Sequence, residues 1–378
     1  MKILYMFRSL AVWGGIERVL VEKMNHLVSV YGYDVYMVTT DQGNHPVPYQ
    51  LDKCVHLVDL NIRFHQQYQY PLPKRLCVAR KLRKLYRIRL SDLINSIKPD
   101  VIVCTTADDI SSLVKLKGSI PLIVESHSIC LRTIEFGKYW LQKKWYRFNY
   151  LRALSKVDVL VALTEGDAKE WRKYHPHVAV IPNIVHLNEN DTYSSCLSKS
   201  VIFVGRLSKQ KNIGALLDIW KFVHFRNTDW KLHVYGEVGD VEKNVYDRLL
   251  LASDIGVVVH KPIKEQMIEE YKKHSILVLT SIFEPFGLVL PEAMSCGLPV
   301  VSFDCPYGPA DIITDGVDGF LIKNRDVNEF ANRVCQLIKD RELRVRMGQA
   351  AVKSAQRYRP DLIMPKWKEL FERLCQKE

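Results

Sequence analysis

Two acidic residues eight positions apart stand in an apolar stretch of the 378-residue chain, Ser281-Ile282-Phe283-Glu284-Pro285-Phe286-Gly287-Leu288-Val289-Leu290-Pro291-Glu292-Ala293-Met294-Ser295-Cys296-Gly297-Leu298-Pro299-Val300. The run at Ile276–Leu279 reads as a strand, Gly287 as a turn, and the residues around Glu292 as a first helical turn. Carboxylates so placed can point into one pocket, each accepting two hydrogen bonds, which suits recognition of hydroxyl groups. Backbone N–H groups at Phe286, Gly287 and Leu288 suit an anion. A capped surface helix, the plainer alternative, leaves the apolar surroundings of Glu284 unexplained. A second cluster, Gly205-Arg206-Leu207-Ser208-Lys209-Gln210-Lys211-Asn212, follows the predicted strand Val201–Val204. There a guanidinium and an ammonium can hold a diphosphate, or form a solvated basic turn. A third, Gly14-Gly15-Ile16-Glu17-Arg18, lies between the first strand and a helix-like stretch. It lets backbone approach a ligand closely, or is an ordinary glycine turn.

These residues need strand ends to hold them. Short β-rich runs recur between longer amphipathic stretches: Ile3–Phe7, Val35–Thr39, Val101–Thr105, Leu122–Glu125, Val157–Leu163 and Val178–Ile181. The second half repeats the scheme with Val201–Val204, Leu232–Tyr235, Val257–Val259, Ile276–Leu279, Val300–Phe303 and Phe320–Ile322. Strands alternating with helical patterns predict α/β architecture, two doubly wound Rossmann-like domains with parallel sheets facing across a cleft. The expected boundaries are 1–187 for an N-terminal domain, 188–199 for a polar linker, 200–360 for a C-terminal domain, and 361–378 for a helix crossing back to the first. The length favours two cores, and 47% hydrophobic residues with 25% charged exclude a disordered chain.

The net charge of +12 is unevenly spread: residues 1–185 carry 27 basic and 16 acidic side chains, residues 186–378 carry 27 and 26. The first half should therefore meet something negative. Lys74–Arg89 places eight basic residues in sixteen positions, with Val78, Leu82, Leu85 and Ile88 at helical spacing. Tyr139-Trp140-Leu141-Gln142-Lys143-Lys144-Trp145-Tyr146-Arg147-Phe148 interleaves aromatic and basic residues as interfacial segments do. A docked helix with solvated charges is the other reading of the first segment. The stretch 64–73 reads as an irregular loop. The N-terminal apolar run is too short for a signal peptide, and no later run is long enough to span a bilayer. Nine cysteines without paired spacing read as reduced, buried thiols. No clustered ligand set suggests a metal, and no nucleic-acid module accompanies the basic surface.

Glu284, seven intervening residues and Glu292, followed by Ala293-Met294-Ser295-Cys296-Gly297-Leu298-Pro299-Val300, resemble the signature of the family-4 retaining glycosyltransferases of the GT-B fold (group 1 glycosyltransferases). The resemblance extends to Phe203-Val204-Gly205-Arg206-Leu207 with Lys211, to Gly14 and Gly15, to Ile181-Pro182-Asn183, and to Asp315-Gly316-Val317-Asp318-Gly319-Phe320. It implies that Arg206 and Lys211 bind the donor diphosphate and stabilise the leaving group, that Glu292 binds the ribose, and that Glu284 binds the donor sugar. It further implies that His127, in Val124-Glu125-Ser126-His127, reaches the sugar near the reacting carbon. The wider donor site would comprise Gly14, Gly15, Phe286, Gly287, Leu288, His260 and Lys261. Pro285, where the family often has glycine, and His260-Lys261-Pro262 depart from the pattern and leave the nucleobase open; uridine is preferred.

The expectation is a metal-independent, cofactor-free hexosyltransferase. It would move a hexose or N-acetylhexosamine from a nucleotide-diphosphate sugar to a lipid-linked or polysaccharide acceptor in bacterial surface glycan synthesis. It would be cytoplasmic, on the anionic inner face of the plasma membrane, and would bind no nucleic acid. A sugar-nucleotide epimerase, a phosphorylase (for which no pyridoxal phosphate motif is found) and a non-catalytic sugar-nucleotide or glycan binder are the alternatives.

Overall fold

A computed structural model describes residues 1–376 except 107, 136, 138, 139, 264 and 265. The chain divides into two compact units: Met1–Leu163, Ala168–Ile184 and the residues from Met364 onward form the first; Thr164–Asp167 and Val185–Ile363 form the second.

The first unit is built on β1 (Lys2–Phe7), β2 (Asp34–Thr39), β3 (His56–Asp59), β4 (Val101–Thr105), β5 (Leu122–Ser126), β6 (Val159–Ala162) and β7 (Val178–Val180). They form one sheet in the order β3-β2-β1-β4-β5-β6-β7, parallel throughout. β4 and β5 are buried along their whole length because helices cover both faces of a parallel sheet, which is why they read as unbroken apolar runs. β3 escaped the sequence reading because it is a four-residue edge strand whose residues are exposed or half-buried, leaving no apolar run. The segment read as a loop contains a 3-10 turn at Phe64–Gln69.

Helix α1 (Gly15–Ser29) lays Val19, Leu20, Met24 and Leu27 against the core, and Lys23 with them. Helix α2 (Leu72–Ile97) buries Ala79, Tyr86, Leu90, Ile94 and Ile97. Its inward stripe lies to one side of the expected one: Leu82 and Leu85 are half-buried, while Ile88 is 50% exposed. Tyr86 outcompetes Ile88 for the core because its ring packs on Phe64 with centroids 5.7 Å apart.

The second unit holds β8 (Ser200–Val204), β9 (Lys231–Tyr235), β10 (Val257–His260), β11 (Ile276–Leu279), β12 (Val300–Phe303) and β13 (Gly319–Ile322). Their order is β10-β9-β8-β11-β12-β13, again parallel. Chain order reverses between β8 and β11, the switch point outside whose strand ends ligands bind in such sheets.

Residues 188–199, expected to be a polar linker between the domains, belong to the second unit. Their backbone is bonded to the loops of that unit: Asn188 N–H donates to Ser295 Oγ at 3.0 Å, Ser194 N–H donates to the Cys296 carbonyl at 2.8 Å, and Cys196 is buried. Six cysteines are buried, but Cys54, Cys77 and Cys375 are exposed because they lie on a turn, on the outer face of α2 and at a helix end. Among the described residues, no helix is long and apolar enough to cross a membrane.

Candidate functional site

The loop leaving β8 and the loop leaving β11 are stitched together at the switch point. Ile282 N–H donates to the Gln210 carbonyl at 2.8 Å, the Gln210 amide donates to the Phe283 carbonyl at 3.0 Å, and Thr280 Oγ1 donates to the Lys211 carbonyl at 2.9 Å. These ties set Lys211 Nζ 2.5 Å from Glu284 Oε1, which also accepts from Ser281 Oγ at 2.6 Å. Both members of the pair are largely buried, their side chains 15% and 6% exposed. Arg206 lies five residues before Lys211 on the same loop and is exposed. Its guanidinium makes no hydrogen bond or ion pair among the described residues. The loop thus carries one cation neutralised by a carboxylate and, five residues before it, one exposed cation without a partner among the described residues, a set of groups suited to a polyanion next to a polyol.

Glu284 is anchored from behind by backbone bonds with Pro306, Tyr307 and Gly308, which fix the loop that carries it. Gly287 adopts a φ of +96°, the left-handed turn that only glycine enters freely, before the helix Val289–Ser295. Phe286 turns inward and meets the Tyr358 ring edge-on at 5.2 Å, and Leu288 is half-buried at the helix start. Glu292, in the first turn of that helix, is buried and accepts from Tyr271 Oη at 3.1 Å.

At the ends of β9 and β10, the His260 ring lies between Tyr235 (4.2 Å, 4° between planes) and His233 (5.0 Å, 13°). Its Nε2 is 2.8 Å from His233 Nδ1, and burial lowers the pKa of both imidazoles. Tyr235 Oη donates to Glu270 at 2.6 Å; burial first, then this bond, pushes the phenol well up. Burial also holds His274 down at about 4. Lys261 is exposed.

In the first unit, Gly14 precedes α1, and a Cβ there would come 2.1 Å from a Glu17 carboxylate oxygen. The Glu17 side chain lies over this glycine, and its flexible end would have to swing aside for any larger residue at position 14. His127, just past β5, sets Nε2 2.9 Å from Glu125 Oε2; Glu125 Oε1 accepts from Lys23 Nζ at 2.6 Å. Burial works to raise Glu125, but the Lys23 charge and the hydrogen bonds from His127 and Lys23 outweigh it and hold the carboxyl at about 2. Burial lowers Lys23 despite the opposing carboxylate.

The family model for glycosyl transferases group 1 matches residues 197–354, and that for glycosyltransferase family 4 matches residues 13–189. The chain belongs to the group 1 glycosyltransferases. It is 27% identical to an amylovoran biosynthesis glycosyltransferase of Erwinia amylovora, over 98% of this chain and 99% of that one. It is 29% identical to a lipopolysaccharide 1,6-galactosyltransferase of Escherichia coli, over 64% of this chain and 66% of the other. A crystal structure of Staphylococcus aureus TarM with fondaparinux, α-GlcNAc-glycerol and UDP superposes with a TM-score of 0.78 at 16% identity, covering 98% of this chain and 99% of that one. That likeness shows the GT-B fold.

In this glycosyltransferase, Arg206, Lys211, Glu284 and Gly287 converge at one switch point, and Glu292 sits on the helix that follows. His260 and Lys261 end or follow a strand two places along the same sheet, while Gly14, Gly15 and His127 belong to the first unit. The sequence reading missed Ser281, Tyr271, Lys23 and Glu125. The last two had a signal: Glu125 shares a strand face with His127 by the two-residue period, and Lys23 interrupts an apolar stripe with Val19 and Leu27 four residues to either side.

Proposed function

We propose that the enzyme transfers a hexose or N-acetylhexosamine from UDP to a lipid-linked or polysaccharide acceptor, with retention of configuration and without a divalent metal. The observation that carries this reading is the buried Lys211–Glu284 pair at the switch point, on whose loop Arg206 stands exposed with no partner among the described residues. As the bond between sugar C1 and the phosphate oxygen breaks, negative charge grows on the diphosphate. A guanidinium fixed there favours the transition state over the ground state, the condition for raising the rate. Glu284 and Glu292 accept hydrogen bonds from the sugar and the ribose, and His127 contacts the sugar near C1. The new bond to the acceptor oxygen forms on the face the diphosphate leaves, and the acceptor proton passes to a phosphate oxygen.

The preference for UDP is supported by the ligand in the TarM crystals, and a polysaccharide or lipid-linked acceptor by the names of the Erwinia and Escherichia relatives. Docking on the anionic inner face of a membrane is supported by the first unit's surface. Trp140, Leu141, Trp145 and Phe148 stand exposed on the helix Trp140–Leu154, with Lys144 4.1 Å above the Trp140 ring, and the basic face of α2 belongs to the same unit. Tyr139 lies outside the described residues. Each basic residue near an anionic bilayer contributes about 1 kcal/mol.

Incubation with radiolabelled UDP-glucose, UDP-galactose and UDP-N-acetylglucosamine plus a bacterial lipid extract tests the reading. Label should move to a lipid or glycan product with its anomeric configuration kept. An isomerised donor, or binding without turnover, would overturn it. Vesicle flotation should recover more protein with anionic than with neutral lipid; equal recovery would remove the membrane.

A further inference from the structure

An ammonium, a carboxylate and an imidazole with side chains 2%, 1% and 5% exposed form a chain in the first unit: Lys23, Glu125 and His127. Glu125 lies on β5, an interior strand flanked by β4 and β6, and each of its two oxygens has one partner among the described residues. The other side of Lys23 is closed by aromatic rings, with Nζ 3.9 Å from the Trp367 centroid and 5.6 Å from that of Tyr5. The backbone between Glu125 and His127 is pinned as well: Trp171 Nε1 donates to Ser126 Oγ at 2.9 Å, and Ser126 Oγ donates to the Ser128 carbonyl at 2.6 Å.

Stability does not explain this chain. Removing two charges from water costs several kcal/mol per ion, and apolar residues of similar volume often serve a core equally well or better. What apolar residues cannot do is accept a hydrogen bond from an imidazole. With Glu125 ionised by Lys23, the proton of His127 belongs on Nε2, and Nδ1 becomes the acceptor atom. A buried carboxylate that orients a histidine and selects its tautomer is a general device for groups that must meet a substrate in one geometry.

We propose that Lys23 and Glu125 are positioning residues for His127: their buried ion pair locks the ring and keeps its proton on Nε2, so that Nδ1 is offered to a hydroxyl of the bound sugar. The proposal rests on the reading of His127 as a sugar contact. Lys23 acts at one remove, holding Glu125 charged in a setting that would otherwise favour its protonated form.

The test uses the full chain labelled with ¹⁵N-histidine, with the His127 ring signals assigned by their loss in His127→Ala. Two-bond ¹H–¹⁵N spectra of the wild type should show the Nε2–H tautomer. In Lys23→Met/Glu125→Leu, an apolar pair of similar size, the thermal midpoint should stay close to wild type while the Nδ1–H form appears. UDP release from UDP-glucose or UDP-N-acetylglucosamine should fall about 10²-fold, the scale for misplacing a group at a reacting centre, with the KM for donor little changed.

A double variant with wild-type ring signals and wild-type turnover overturns the positioning role, even when His127→Ala is slow. His127→Ala at the wild-type rate instead overturns the sugar-contact reading beneath it. Should the double variant fail to fold, Glu125→Gln keeps the volume and one acceptor. It should still displace the Nε2 resonance and slow turnover, and an unchanged signal overturns the proposal.

Discussion

Replacing Arg206 by alanine should separate activity from stability in a way that follows from the charge balance of the site. Arg206 is exposed and makes no ion pair among the described residues, so its loss should cost the fold no more than about 0.5 kcal/mol, the usual range for such surface changes. Lys211 is already neutralised by Glu284 at 2.5 Å, so under the proposed function Arg206 is the residue that would supply net positive charge to the departing diphosphate. Removing one fixed donor at a developing anion costs about 10²–10³ in turnover. Binding offers a second readout. At 100 times its dissociation constant UDP stabilises the wild type by about 2.7 kcal/mol, and a variant that binds tenfold more weakly retains about 1.4 kcal/mol at the same concentration. Thermal melts with and without UDP, alongside UDP release from a UDP-hexose, read both effects. Arg206→Lys should recover part of the loss, since an ammonium restores the charge without the two-pronged geometry. Near wild-type turnover in Arg206→Ala, or an undiminished UDP shift, would refute the reasoning.

Lys211→Met should behave oppositely, destabilising the protein by about 3 kcal/mol because it strands the buried Glu284 carboxylate; adding Glu284→Gln should restore much of the midpoint but no transfer, and a double variant that regains activity would remove both residues from the site. Asp108 is pushed up to about 7 by burial, against two hydrogen bonds from Thr105 that favour its charged form. The folded state therefore keeps a proton that the unfolded chain releases above its ordinary value of 3.8, and stability falls as pH rises from about 4 to 7. Asp108→Asn, whose amide oxygen can still accept from Thr105, should raise the melting temperature at pH 7.5 more than at pH 4.5, and equal changes at both would contradict this. Buried Arg344 donates to the carbonyls of Leu337, Ile338 and Cys196, so Arg344→Met should cost about 3 kcal/mol or more by orphaning them, and urea denaturation showing under 1 kcal/mol would refute that role.

What the sequence determined by itself is the local part of the protein. Alternating apolar and helical periods mark the α/β architecture because a strand covered on both faces, such as β4 or β5, can contain little else. Spacing within one loop and helix exposed the Glu284 and Glu292 motif for the same reason, as both residues are set by a single strand, turn and helix start. Edge strand β3 carries no such pattern because half its surface faces water, and residues 188–199 read as linker because polarity does not reveal that hydrogen bonds will be made to the second unit. Only the tertiary structure decided which charges meet. Lys211 and Glu284 are 73 residues apart, and Lys23 and Glu125 are 102 apart. Such pairs are created when parallel strands bring distant loops or a covering helix alongside one another, and burial then turns a separation of about 2.6 Å into a fixed charge arrangement that neither partner's local sequence encodes.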